Sequence, residues 1–242
     1  MRNTMSLFPE GGSASVAVRL ETAREAVDAV DDALLDLVER RLALSLQIAA
    51  LKNEDDQRLK LRPRREAAIT SRLAARANLA TPEMIEHLWR ELMAHSLQAQ
   101  VRTELVLCAA VSPDLLRDQV RERFGWAAPI VWAETPDEAL DEACHREAIA
   151  VIEHSASSNW WGRLADEPSL SIFDAMRLAD KGVGALLVGR VSPDDVLDTQ
   201  NFQVLDAGIL QQRLGSGERI ETVAATGSLR LCRVLPDQEA AR

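Results

Sequence analysis

Arg41 stands where an apolar side chain is expected. Val27, Val30, Leu34, Leu37, then Leu44, Ile48 and Leu51 recur at helical steps of three and four, and Arg41 fills the missing place in that series. A charge in an apolar seam is costly unless it is paired. Either a structural carboxylate such as Glu66 meets it, or an anionic ligand enters a helical bundle. Lys52 lies eleven residues further on, about 1100° around a helix, so the two cations share one face within about 20°. Arg24 lies seventeen residues before Arg41, about 25 Å away and about 100° around. One small ligand does not easily meet both from one helix, but it can meet the Arg24 of a second chain. A second apolar series, Ile85, Leu88, Trp89 and Leu92, is also continued by polar residues, Ser96 and Gln100.

The elements that carry these residues are helical. No Gly or Pro interrupts Leu20 to Lys52, which predicts a helix roughly 50 Å long. Its own small domain is too short to bury it, so a partner chain is the expected cover. KNEDDQRLKLRPR reads as a polar loop, with Pro63 placed to open a helix over about Arg64 to Ala77. Thr81-Pro82-Glu83 starts a third helix, Thr as N-cap and Pro at the first helical position.

This constellation resembles the all-helical chorismate mutases. AREAVDAVDDALLDLVERRLALSLQIAALK looks like that family's first helix, with an early Arg, an Asp seven on, Glu-Arg and a Lys eleven later, here Arg24, Asp31, Arg41 and Lys52. RPRREA resembles the start of its second helix, with Arg65-Glu66 as the Arg-Glu pair, and ELMAHSLQAQ the end of its third, with Ser96 and Gln100 four apart. The match covers about residues 20–101.

The resemblance implies rearrangement of chorismate to prephenate, a pericyclic shift that needs no nucleophile, proton transfer, metal or cofactor. It implies an intertwined homodimer with shared sites. Arg41 and Arg65, with Arg24 from the partner, would hold the two carboxylates, because a guanidinium donates bidentately and stays charged when buried. Ser96 would add a hydroxyl donor. Lys52 and Gln100 would donate to the ether oxygen, where charge grows, and such donors are worth ~3 kcal/mol each. Glu66 would orient the ring hydroxyl. Arg62 is a departure: the family often has an acid there, and this chain's Arg62 is counted with the substrate-binding residues, a positive charge to cradle the dianion. The departure keeps an isochorismate pyruvate lyase as an alternative, beside an inactive shikimate-pathway regulator.

After Gln100 the pattern becomes α/β. Strands are expected at Leu105–Val111, Ile130–Ala133 and Ala148–Ile152, with a helix capped by Ser112 and running to Phe124, and another capped by Thr135 and running to His145. Alternating strands and helices imply a mixed, partly parallel sheet. Later strand candidates are Ala185–Val191, Phe202–Ala207 and Leu229–Leu235. Ile152-Glu153-His154-Ser155 faintly resembles a segment of the prephenate dehydratases, but the Gly-Pro-x-Gly-Thr start and the Thr-Arg-Phe motif of that family are absent. A degenerate domain is expected, regulatory or binding, without dehydratase activity; Thr226 reads as a turn residue before Gly227. Trp160-Trp161 reads as a loop in which one ring covers an interface or pocket, most simply packing on the helical domain.

Charge and composition narrow the classes. The chain of 242 residues carries a net charge of −10, and residues 104–242 account for all of it, since residues 1–103 hold 15 basic and 15 acidic residues. That argues against a nucleic-acid binder. Three dispersed Cys exclude a disulfide framework or a cysteine zinc site. His87, His95, His145 and His154 show no metal-ligand spacing, GSGER and GVGA lack the setting of a phosphate loop, and no run is apolar enough to span a membrane. The expectation is a cytoplasmic protein of two domains: a disordered start at 1–18, an all-α three-helix domain at 19–103, an α/β domain at 104–236 and a tail at 237–242.

Overall fold

The computed structural model describes residues 11–51, 58–155, 157–178 and 184–236, with side chains from residue 16 onward. The chain divides after Leu44, into Met1–Leu44 and Ser45–Arg242. The first unit is helical: α1 runs Gly11–Leu51, through a stretch rich in Ala, Leu, Glu and Arg, all strong helix formers. It begins ahead of the expected start at Leu20, so residues 11–18 are helical where disorder was expected. Among the described residues the apolar series of α1 is exposed: Val27, Val30, Leu34, Leu37, Leu44, Ile48 and Leu51 are 48% to 86% exposed.

In the second unit, α2 (Pro63–Ala74) and α3 (Pro82–Gln100) each open on a proline, whose missing N–H costs nothing in the first turn. The Thr81 hydroxyl accepts from Met84 N at 3.2 Å and caps α3 as its sequence predicts. Next come β1 (Glu104–Cys108), α4 (Pro113–Phe124), β2 (Ile130–Trp132), α5 (Pro136–His145), β3 (Ala148–Glu153), β4 (Ser171–Met176), β5 (Ala185–Gly189), β6 (Phe202–Asp206), α6 (Ala207–Gly215), β7 (Ile220–Thr226) and β8 (Leu229–Val234). Five strands form one sheet in the order β2-β1-β3-β5-β4, and three form another in the order β6-β8-β7. β1 lies parallel to β2 and β3, whereas β5 runs antiparallel to β3 and β4. The sheet is therefore mixed, as the sequence predicts. The separate antiparallel sheet, β4, β7 and α6 are additions to that reading. Thr226 is the last residue of β7, with the turn just after it at Gly227, whose φ is +52°.

Both faces of the five-stranded sheet are covered, which is why its strands read as continuous apolar runs. Leu105, Leu107, Ile149, Val151, Phe173 and Leu187 meet α4 through Leu116, Val120 and Phe124, and the same cluster takes in Leu59 and Leu61 with Leu97 of α3. Alternate residues, Val106, Ala150, Ile152 and Val188, meet Ala139, Leu140 and Ala143 of α5 on the other face. Leu59 and Leu61, just ahead of α2, and Leu97 of α3 thus share a core with the α/β layers.

The paired tryptophans belong to that second face. They open a 3₁₀ turn, Trp160–Asp166, rather than a loop. Trp161 is wholly buried and Trp160 packs against the same cluster, so neither covers the helical domain as expected. In a helical turn adjacent rings can flank one core, which an extended segment forbids. Their Nε1–H groups donate to Ser158 O at 2.8 Å and Glu153 O at 3.2 Å.

Candidate functional site

The eight residues picked out by the sequence fall into three sets. Arg24 and Arg41 lie on α1. Arg24 is exposed and pairs with Glu21 at 3.3 Å, one helical turn away. Arg41 is half-buried, and that burial lowers its pKa from the ordinary guanidinium value. Lys52 falls outside the described residues.

The second set lies on α2 and just before it. Arg65 is exposed. Arg62 stands with Nε 4.0 Å from the Asp195 carboxylate. Next to it, Arg64 donates to Asp198 at 2.7 Å and to Val196 O at 2.9 Å, which ties α2 to the same segment. Glu66 faces inward, and its Oε2 lies 3.5 Å from Arg123 of α4. The carboxylate partner that the sequence reading offered to Arg41 is thus held by a cation from another element.

The third set is the end of α3. Ser96 is buried, and its hydroxyl donates to Leu92 O at 2.6 Å, one turn back. Gln100 donates from Nε2 to Ser96 O at 3.2 Å. Both side chains bond their own helix, a competition common for short polar residues, while their neighbour Gln98 brackets Thr103 by two bonds.

Arg123 and Asp174 are the site residues that sequence reasoning missed. Arg123 Nε donates to Asp174 Oδ2 at 2.8 Å, and Asp174 Oδ1 accepts from Ala175 N at 2.9 Å. Burial opposes the charge on Arg123, but Glu66 and Asp174 outweigh it and raise its pKa above the ordinary value. Asp174 reaches this place through a bulge. The register shifts between Ile172 and Asp174, so Phe173 and Asp174, consecutive in sequence, face the same side of the sheet. Two signals were legible: an Arg beside the buried Phe124 of an amphipathic helix, and a lone Asp inside the apolar run SIFDAM.

These three charges edge a cavity of about 220 Å³ between α2, α3 and the α4 side of the sheet. Arg90, Glu86, Met93, Leu97 and Phe124 also line it. Its carboxylates, Glu66, Glu86 and Asp174, outnumber its guanidiniums, Arg90 and Arg123. The cavity shares Glu66 with the set on which the sequence reading rests.

Among the described residues no cluster of His, Cys, Asp or Glu is placed to hold a metal, and no helix is long and apolar enough to cross a membrane. The three thiols are free, with Cys108 and Cys232 buried. No curated protein and no solved structure matches the chain. Residues 23–101, from α1 to one residue past α3, match the family described as chorismate mutase type II, a family of isomerases.

Proposed function

We propose that the protein rearranges chorismate to prephenate, and that it does so as a homodimer. The observation that carries this reading is the match of residues 23–101 to chorismate mutase type II, because all eight residues of the sequence-level site fall inside it. The chemistry asks little of a protein beyond shape and charge. The substrate must be held in a folded conformer, and the negative charge that grows on the ether oxygen as its C–O bond breaks must be met by donors. Arg41 and Arg65, with Arg24 of the partner, bind the carboxylates, and Ser96 adds a donor. Lys52 and Gln100 serve the ether oxygen. Glu66 accepts from the ring hydroxyl, its carboxylate steadied by Arg123.

Dimer formation is supported by the bare stripe of α1. Seven large aliphatic side chains in one helical series are left to water in the single chain, and a surface of that kind marks an interaction face. A second copy of α1 supplies a cover of the same length and period. Arg62 carries a positive charge where the family often has an acid, and its neighbour Asp195 draws it toward the C-terminal residues.

The α/β region is read as a regulatory or binding domain without dehydratase activity. Loss of hydroxide from prephenate needs a donor at the leaving group. β5, the strand nearest to the dehydratase pattern, is Ala185–Gly189 and offers no hydroxyl or charge before Arg190. Phenylpyruvate formed from prephenate faster than the spontaneous reaction at neutral pH contradicts this part.

The deciding experiment pairs substrates and variants on the full chain. Chorismate is expected to give prephenate, and isochorismate no pyruvate. Arg24→Ala and Arg41→Ala are each expected to be inactive, and to regain part of the activity when mixed, since one composite site then keeps both arginines. Pyruvate release from isochorismate makes the protein a lyase. Binding of chorismate without turnover makes it a regulator. Failure of the mixed variants to recover, once subunit exchange is shown, refutes shared sites.

A further inference from the structure

Arg123 and Asp174 lie beyond residues 23–101, the segment that matches chorismate mutase type II, yet Arg123 reaches a residue inside it. Glu66 is the single carboxylate among the eight residues proposed to meet chorismate. An acceptor on a side chain with three torsions works only where it is held, since a misplacement of about 1 Å can cost 10²-fold in rate. The guanidinium of Arg123, on α4, does the holding. Its Nη1 lies 3.5 Å from Glu66 Oε2. The pairing is made through that one oxygen, so the other keeps its acceptor capacity.

Arg123 is fixed in turn. Its Nε donates to Asp174 Oδ2 at 2.8 Å, and its guanidinium carbon lies 5.0 Å from the centre of the Phe124 ring. Asp174 accepts through Oδ1 from Ala175 N at 2.9 Å. The bulge in β4 decides where Asp174 stands. With regular alternation it would lie on the α5 side of the sheet; the extra residue Phe173 turns it toward Arg123 instead, and bulges of this kind re-aim side chains at sites. A structural ion pair needs Arg123 and Asp174 alone, whose charges cancel. Glu66 adds one carboxylate more than the guanidinium neutralises, in a place where excess charge costs stability. A protein keeps such a local cost where a site needs an oriented group.

We infer that Arg123 and Asp174 are positioning residues for the rearrangement: Asp174 fixes Arg123, Arg123 fixes the Glu66 carboxylate, and Glu66 receives the ring hydroxyl in one orientation. The assignment rests on the chorismate mutase reading above. It gives the α/β region a part in the chemistry of the helical segment, apart from any ligand of its own. Both residues act through Glu66 and meet no reacting atom. The substrate's carboxylates are bound by the arginines in either case, so the relay adds little to binding. It selects the orientation from which the folded conformer reacts, and its loss falls on kcat rather than KM.

Steady-state kinetics with chorismate on the full chain test the assignment, each variant being assayed below its own Tm with far-UV circular dichroism confirming the fold. Arg123→Met is expected to lower kcat tenfold or more and to change KM less than threefold. Asp174→Asn, which keeps the shape of the side chain, is expected to lower kcat threefold or more in the same pattern, and it carries the test should Arg123→Met fail to fold. A cycle with Glu66→Gln separates positioning from a structural role. In the Glu66→Gln background, where the arginines and the ether donors still support turnover, either second substitution is expected to change kcat less than twofold while still lowering Tm. Folded variants with kcat within twofold of the wild type, a loss confined to KM, or a loss of the same size in the Glu66→Gln background overturns the inference. A wild type that leaves chorismate unchanged overturns the mutase reading itself, whereas an active wild type with losses that multiply overturns the positioning role alone.

Discussion

Replacing Arg123 by Met removes the cation between Glu66 and Asp174 and leaves two carboxylates facing each other at the edge of the core. The side chains of Arg123, Glu66 and Asp174 are 28%, 23% and 10% exposed. Breaking a buried pair by deleting one partner costs about 3–5 kcal/mol. Partial hydration of Glu66 through the cavity puts the expected loss at the lower end, ~3 kcal/mol. For a chain of this size each kcal/mol lowers Tm by about 2–4 °C, so a fall of roughly 6–12 °C is expected. Thermal unfolding followed by circular dichroism, and urea unfolding for the free energy, measure it. Arg123→Lys is expected to recover only part, because an ammonium is a point charge that cannot span both carboxylates. In a double-mutant cycle with Asp174→Asn the two losses are expected to be non-additive, with a coupling above about 0.5 kcal/mol. A loss under about 1 kcal/mol for Arg123→Met, with additive energies in the cycle, refutes the view that this triad ties α2 to the α/β layers.

Leu37→Asp is expected to weaken self-association. The side chain is 61% exposed in one chain, and burying that fraction contributes ~1–2 kcal/mol per copy, so a symmetric pair loses about 30-fold to 1000-fold in Kd; sedimentation equilibrium showing a wild-type monomer contradicts it. His154 is buried with Nδ1 lacking a partner among the described residues, and burial lowers its pKa. The unfolded chain therefore takes up the proton first: the His154 contribution is complete above about pH 6.5 and is lost as pH falls below it. His154→Leu is expected to flatten the decline in stability between pH 6.5 and the folded-state value; an unchanged slope contradicts it. Residues 1–103 produced alone are expected not to unfold cooperatively, since Leu59, Leu61 and Leu97 lose the cluster they share with α4 and β1; a cooperative transition of that fragment contradicts it.

The helices were legible because their signals are local. A Thr-Pro start and apolar steps of three and four place α3 to the residue, and the Thr135 hydroxyl does accept from Glu138 N at 3.2 Å, as its spacing predicts. β1 and β3 read as strands because burial on both faces leaves an unbroken apolar run. β7 escaped notice because its residues are mostly half-exposed or exposed and do not alternate cleanly. β4 escaped because Asp174 interrupts it and a bulge spoils its alternation. The same two facts hid the Glu66–Arg123–Asp174 cluster: it is built from residues 51 and 57 positions apart along the chain, and no local pattern joins them. Composition changes at residue 104, but packing does not, since Leu59, Leu61 and Leu97 pack against α4 and the five-stranded sheet.

Turnover of chorismate by the purified full chain is the most direct test of the proposed activity, with Arg41→Ala as control. Arg41 is the charge that breaks the apolar series of α1, and losing one such electrostatic contact costs about 10²–10³ in kcat. Prephenate formed by the wild type, with a fall of that size in Arg41→Ala and an unchanged circular dichroism spectrum, is the expected result. A folded wild-type protein that leaves chorismate unchanged, or an Arg41→Ala variant as active as the wild type, contradicts it.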